Sequence, residues 1–194
     1  MNTILGIKNI DESKTKKEIL RKINFWLNEF DLAQEADVQE LGNNNYSLII
    51  KNKYTGIPNN IVDVGVGTSQ LLPIIVESIN SAPNTILLIE EPETHIHPNA
   101  QAKLSDLFVE YSNLHNKRFF IETHSMYLIM QLEILVAQKK IKAEDVGVYY
   151  FTQDAHGSRI LDMKLAENGQ FDEEWPKGFF DVPYELSKKL FKFM

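Results

Sequence analysis

From Thr15 onward the apolar residues Ile19, Leu20, Ile23, Phe25, Trp26, Leu27 and Phe30 recur at roughly helical spacing with Lys and Glu between them, which predicts one amphipathic helix. Val38 to Leu41 and Tyr46 to Lys51, on either side of Gly42-Asn43-Asn44-Asn45, predict two strands joined by a Gly/Asn turn. Asp63-Val64-Gly65-Val66-Gly67-Thr68-Ser69-Gln70 reads as a glycine-bearing loop, and Leu71 to Asn80 as a helix whose Pro73 is tolerated because it falls in the first turns. A strand from Thr85 to Ile89 follows, then a helix from about Pro98 to Leu114 and a strand from Arg118 to Ile121. The polar turn Glu122-Thr123-His124-Ser125 leads into a helix from Met126 to Lys140. This alternation predicts an α/β fold with a largely parallel sheet. Val146 to Thr152 and Arg159 to Leu165 read as two further strands joined by Asp154-Ala155-His156-Gly157, and an aromatic, Gly- and Pro-containing tail ends in a short helix, Tyr184 to Phe193. No internal repeat or low-complexity run interrupts the pattern, which places a main domain over 1–165 and a small extension over 166–194.

A chain of 194 residues with 43% apolar content can bury a core of one domain. The net charge of −7 argues against a broadly basic nucleic-acid surface, leaving only a local patch or a partner to supply one. With no cysteine there is no disulfide, thiolate nucleophile or cysteine-bound zinc, which fits a reducing compartment. The start, Met1 to Lys17, carries Asp11, Glu12 and four lysines without the apolar core of a signal peptide, and no later run reaches membrane-spanning length. A cytoplasmic protein is expected.

The candidate chemistry begins where the apolar run Ile86 to Ile89 meets Glu90 and Glu91, followed by Pro92-Glu93-Thr94-His95-Ile96-His97-Pro98. The carboxyl end of a strand in an open α/β sheet is where such folds bind ligands. If the strand ends between the two acids, both can face that crevice, one holding Mg²⁺ through oxygen or water and the next polarising a water. The plainer alternative is a solvated acidic loop behind a core strand. His124, after a second apolar strand, would share the same edge if the two strands are neighbours; by itself, it is more often a capping or packing residue. Gly67-Thr68-Ser69, at a helix N-terminus, offers amides and a dipole to an anion, or else simple N-capping by Thr68 or Ser69. No Gly-x-x-x-x-Gly-Lys-Ser/Thr phosphate cradle occurs in the chain.

In this order and spacing, the stretch Asp63 to Ser125 resembles the C-terminal half of an ABC-type ATPase of the AAA family. The resemblance is to the SMC/RecF-like class found in DNA-repair, chromosome-maintenance and phage-defence proteins. It implies a partial P-loop NTPase fold, a parallel sheet flanked by helices, preceded here by a helix and β-hairpin. Val66-Gly67-Thr68-Ser69-Gln70 is similar to the signature loop, so Gly67, Thr68, Ser69 and Gln70 would contact the γ-phosphate of ATP held by an opposite subunit. Ile86 to Glu91 resembles Walker B, with Glu90 at the magnesium-associated acid and Glu91 at the catalytic base. Glu93 to Pro98, with Glu93, Thr94 and His97, is similar to the D-loop, and His124 falls at the switch histidine. Trp175-Pro176-Lys177-Gly178-Phe179-Phe180-Asp181 resembles a DUF3696-like extension, whose aromatic residues are expected to pack the tail onto the sheet. Two departures stand out: Glu90 replaces the commoner Asp, and of Leu-Ser-Gly-Gly-Gln only Gln70 and a small, hydroxyl-bearing character remain.

The resemblance implies ATP and Mg²⁺ as ligands. It also implies a Walker A-containing half or subunit as partner, its strand lying between the His124 strand and the one near Val146, with completed units pairing head to tail. Nucleic acid would be met through the complex, and a membrane is not involved. A split gene product, a natural half-subunit and a truncated chain fit equally. Two other classes stand beside it. One is a docking or regulatory module without turnover; the other is a metal-dependent hydrolase using His95, His97, His124 and the acids Glu90, Glu91 and Glu93. His115 and His156 lie outside these elements and are expected at the surface.

Overall fold

The computed structural model describes residues 14–43 and 45–193, with side chains from Lys17 onward. The lysine-bearing start read above lies largely outside the described residues, as does Asn44 of the hairpin turn. The chain forms two compact units that divide after Leu128.

The first unit opens with α1 (Lys14–Glu29), whose Ile23, Trp26 and Leu27 are buried together with Phe30 just beyond its end. β1 (Glu35–Gly42) and β2 (Asn45–Lys51) pair antiparallel, Ala36 opposite Ile50, with an irregularity between Glu40 and Gly42. A short third strand that the sequence does not announce, β3 (Pro58–Asn60), joins β2; its proline stands first, where no ladder hydrogen bond is lost inside the strand. After a 3₁₀ turn, Ile61–Asp63, comes α2 (Val66–Asn80). This helix begins at Val66, so Gly67, Thr68 and Ser69 belong to its first turn and not to a preceding loop. Pro73 consequently sits in the helix interior. The carbonyl of Ser69, which its missing N–H would have met, belongs to an exposed residue and can bond to water.

β4 (Ile86–Glu90), α3 (Pro98–His115), β5 (Arg118–Glu122) and the start of α4 (Met126–Ala137) complete the unit. β4 and β5 are parallel and in register, Ile86 opposite Arg118 and Glu90 opposite Glu122. This pair is the parallel part of the fold; the other two sheets of the described residues are antiparallel. α3 starts as His97-Pro98 predicts, with His97 as N-cap and proline in the first turn, and ends at Asn116 in the left-handed conformation. Leu104, Leu107, Phe108 and Tyr111 of α3 and Leu71, Leu72, Ile75 and Val76 of α2 form the core, with Phe108 stacked at a tilt on Phe119 of β5, centroids 4.9 Å apart. The opposite face of the strand pair is open: Leu88 is 79% exposed and Phe120 60%.

Lys117 is fully buried at 1% exposure, and its Nζ donates to the carbonyls of Ser78 (2.7 Å) and Ile79 (3.3 Å) in the last turn of α2. It thus caps helix carbonyls that have no intrahelical donor. Burial pushes its pKa down to about 8, with Glu77 partly opposing the shift. Because the folded pKa lies below the unfolded value of 10.5, the folded state binds fewer protons between these limits, and stability rises as pH climbs through that window. We expect the wild type to gain roughly 2–3 kcal/mol over Lys117→Met between pH 8 and pH 10 in urea titrations. Parallel pH profiles for the two proteins would show that the amine is not desolvated.

The second unit runs from Ile129 onward. α4 stops at Ala137 instead of Lys140 because Lys139 turns left-handed (φ 59°) and the Lys140 N–H closes back on Leu135 O at 2.9 Å. A 3₁₀ turn over Ala143–Asp145 delays the next strand, so β6 (Tyr149–Asp154) begins three residues beyond Val146 and pairs antiparallel with β7 (Gly157–Asp162). Trp175 packs on Tyr150 of β6, Phe171, Phe179 and Phe180, giving the tail a small aromatic core before α5 (Val182–Phe191). His156 is exposed, whereas His115 is half-buried, stacked on Tyr111 at 5.9 Å, and burial lowers its pKa.

Candidate functional site

The carboxyl ends of β4 and β5 carry the polar residues that the sequence singles out. β4 ends at Glu90, and Glu91 bends out of the strand with φ of 44°, its N–H still donating to Glu122 O at 2.8 Å. A left-handed glutamate is a costly conformation for a side chain with a Cβ, so the turn is held by its surroundings. Its effect is to bring both acids to one side: Glu90 and Glu91 line a single open cleft of about 420 Å³ together with Gln70, Ile74, Pro92, Thr94 and Glu122. Glu122, opposite Glu90 in the register, is a third carboxylate here that the motifs did not single out. Aligning the ends of the two apolar runs would have found it.

His124 follows β5 on the same edge. Its Nε2 lies 3.7 Å from Glu91 Oε1, an ion-pair distance longer than a direct hydrogen bond, and both side chains are largely exposed. Imidazole and carboxylate are therefore adjacent, accessible and free to engage a third group between them. Thr94 Oγ1 donates to Glu91 O at 2.9 Å and stands 3.4 Å from Glu91 Oε2, holding the turn. Glu93 points inward: it is 8% exposed and its Oε1 accepts the His124 N–H at 2.6 Å. His97 Nδ1 accepts from Asn99 N at 3.4 Å as the α3 cap, and His95 adopts a positive φ of 62° in the exposed part of the loop.

The N-terminus of α2 abuts this loop. A Cβ built on Gly67 would come within 2.7 Å of His95 O and 3.1 Å of Ile96 Cγ2, so helix and loop touch through the missing side chain. Gly65 is the N-cap and no side chain caps the helix, which leaves its first amides unclaimed by Thr68 or Ser69. Thr68 is buried at 6% exposure, Ser69 Oγ donates back to Val66 O at 2.8 Å, and Gln70 reaches the cleft. Of the four signature positions, Ser69 and Gln70 are exposed, Gly67 is half-buried against the loop, and Thr68 is buried.

Oxygen donors dominate the cleft. Among the described residues no three His, Asp or Glu side chains stand close enough to share a metal ion. His95, His97 and His124 are thus not gathered with an acid in the way the metal-hydrolase alternative expects. Separate carboxylates at a cleft fit magnesium, which keeps several waters and is completed by substrate phosphates.

The chain belongs to the AAA ATPase domain family, whose model matches residues 3–129. A second model, a protein family of unknown function (DUF3696), matches residues 141–186. No match was found among curated proteins. Solved structures share the fold at low identity. One, from work on ATP-driven dimerization and DNA-stimulated activation of SMC ATPases, aligns with TM-score 0.57 and 10% identity over 90% of this chain and 91% of that one. An Smc head bound to the C-winged helix domain of ScpA gives 0.58 and 14% identity over 84% of this chain. The Pyrococcus furiosus Smc head with an extended coiled coil, bound to the C-terminal domain of ScpA, gives 0.57 and 12% over 92% of this chain. The chain spans 50% and 38% of the lengths of these last two. No helix among the described residues is long and apolar enough to cross a membrane.

Proposed function

We propose that this chain supplies the signature, Walker B, D-loop and switch-histidine half of an ABC-type ATPase, and that ATP turnover requires a Walker A-bearing segment. The observation that carries this reading is the gathering of Glu90, Glu91 and Gln70 on one cleft with His124 Nε2 3.7 Å from Glu91. Glu91 acts as general base, taking a proton from the water that attacks the γ-phosphorus in line. His124 donates a hydrogen bond to the γ-phosphate as charge develops on its oxygens. Glu90, with Glu122 beside it, would hold Mg²⁺, in this reading through water, and the ion would supply neutralisation of charge on the phosphate oxygens. Gln70, Ser69 and the first amides of α2 meet the γ-phosphate of ATP carried by the opposite unit.

Two observations support the need for a second segment. The sequence has no backbone nest and lysine for the β- and γ-phosphates, and carboxylates alone would repel them. The β4–β5 face with Leu88 and Phe120 is exposed, although parallel sheets are ordinarily covered on both faces. A Walker A-bearing segment packed there would cover it. We propose further that completed units pair head to tail in the cytoplasm, that nucleic acid is met through the complex, and that ATP-driven closure serves DNA maintenance or phage defence.

The test is ATP hydrolysis and ATP-dependent association, measured for this chain alone and mixed with a Walker A-bearing half. Turnover in the mixture should exceed that of either component by at least ~10-fold, since positioning and charge stabilisation both depend on the completed site. Neither association nor turnover in either case would leave a fragment or a docking module without turnover.

A further inference from the structure

Gln101, in the first turns of α3, is outside every motif, yet its amide joins the two loops of the cleft. Its Nε2 donates to Ile96 O at 3.2 Å and lies 3.4 Å from Glu93 O, both in the loop after Glu91. Its Oε1 accepts from Ser125 Oγ at 2.7 Å, next to His124, and the same Ser125 Oγ accepts Leu128 N at 3.2 Å. The second link between the loops is the short bond from His124 N to Glu93 Oε1 at 2.6 Å. Glu93 Oε2 is buried with no hydrogen-bond partner among the described residues. A buried carboxylate that satisfies one oxygen only is destabilising.

We propose that Gln101 and Glu93 are positioning residues that clamp the His124 loop to the turn bearing Glu91, so that imidazole and base move as one unit. The two bonds bracket His124: one holds its own N–H, the other the side chain of the next residue. A displacement of the Glu93–Ile96 loop, for instance on contact with an opposite unit, is thereby carried to His124 without passing through the exposed 3.7 Å contact with Glu91. A hydrogen-bonded clamp of this kind transmits position because hydrogen bonds are directional and weaken steeply when misaligned. The geometry of the clamp stands on its own; its effect on hydrolysis rests on the ATPase reading above.

The experiment compares Gln101→Met, Glu93→Ala and Glu93→Gln in the completed ATPase. Gln101→Met keeps length and removes the donor and acceptor, and Glu93→Gln keeps an oxygen for the His124 N–H. We expect Gln101→Met and Glu93→Ala to lower kcat about 10-fold with KM for ATP within about twofold, and Glu93→Gln to restore most of the loss. Hydrogen exchange on the chain should accelerate at His124 and Ser125 in the two damaging variants, with β4 and the core of α3 unchanged. Equal changes in kcat and KM, uniform acceleration across α3, or unchanged exchange at His124 would each overturn the clamp. A completed assembly that fails to hydrolyse ATP at all, with exchange altered as described, would remove the ATPase reading and leave the coupling of the loops standing.

Discussion

Glu91→Gln is expected to reduce ATP turnover of the completed assembly by at least ~10²-fold while leaving ATP-dependent association intact. Glutamine has the same length and keeps an oxygen toward Thr94, whose Oγ1 lies 3.4 Å from Glu91 Oε2, so the left-handed turn at this position should hold. What the amide lacks is basicity: it cannot accept a proton from the attacking water. The nucleotide contacts proposed for Gln70, His124 and the first turn of α2 are untouched, so the bound, associated state should accumulate instead of turning over. The measurement is steady-state phosphate release beside light scattering or cross-linking with ATP present. Wild-type turnover in the variant would assign the base elsewhere, with Glu122 the next carboxylate on the cleft.

The elements of the first unit were legible because apolar periodicity and punctuation agree. The strand Ile86–Glu90, the helix Pro98–His115 and the strand Arg118–Glu122 each lie within a residue of where the pattern places them. The start of α2 was misplaced because glycine and hydroxyl residues favour loops locally, whereas the burial of Thr68 and Leu71 against the rest of the unit carries the helix back to Val66. The pairing of β4 with β5 is what converts two separate polar ends into one site, and spacing along the chain cannot show it without the register. Gln101 and Lys117 left no signal of any kind. Each donates to backbone carbonyls, of a loop in one case and of a helix end in the other, and a carbonyl is the same in every residue. Side chains that hold main chain therefore escape motif reading, although they fix the geometry in which the motif residues work.

Gly67→Val should have the largest structural effect of any single change at the α2 N-terminus, and it separates packing from helix propensity. By propensity alone, replacing glycine inside a helix is favourable or neutral. Here the first added carbon meets His95 O at 2.7 Å, a backbone atom in a loop whose conformation is already constrained by the positive φ of 62° at His95. That carbonyl cannot turn aside as a side-chain end would. The helix must retreat from the loop, at a cost of about 1–3 kcal/mol typical of overpacking, and Gln70 is carried away from the acids it shares a cleft with. We expect urea unfolding to show that loss and the completed assembly to lose at least ~10-fold in turnover, because displacement of a positioning element by an ångström suffices for this. Gly65→Ser is the internal control: nothing lies within 4 Å of its Cβ position, and serine is a good N-cap, so stability should be unchanged or raised. If both substitutions cost the same, contact between α2 and the Glu93–His97 loop does not limit the site. If only Gly67→Val is costly, the close approach of helix and loop is what holds the proposed γ-phosphate contact of a unit beside the proposed base of the same unit.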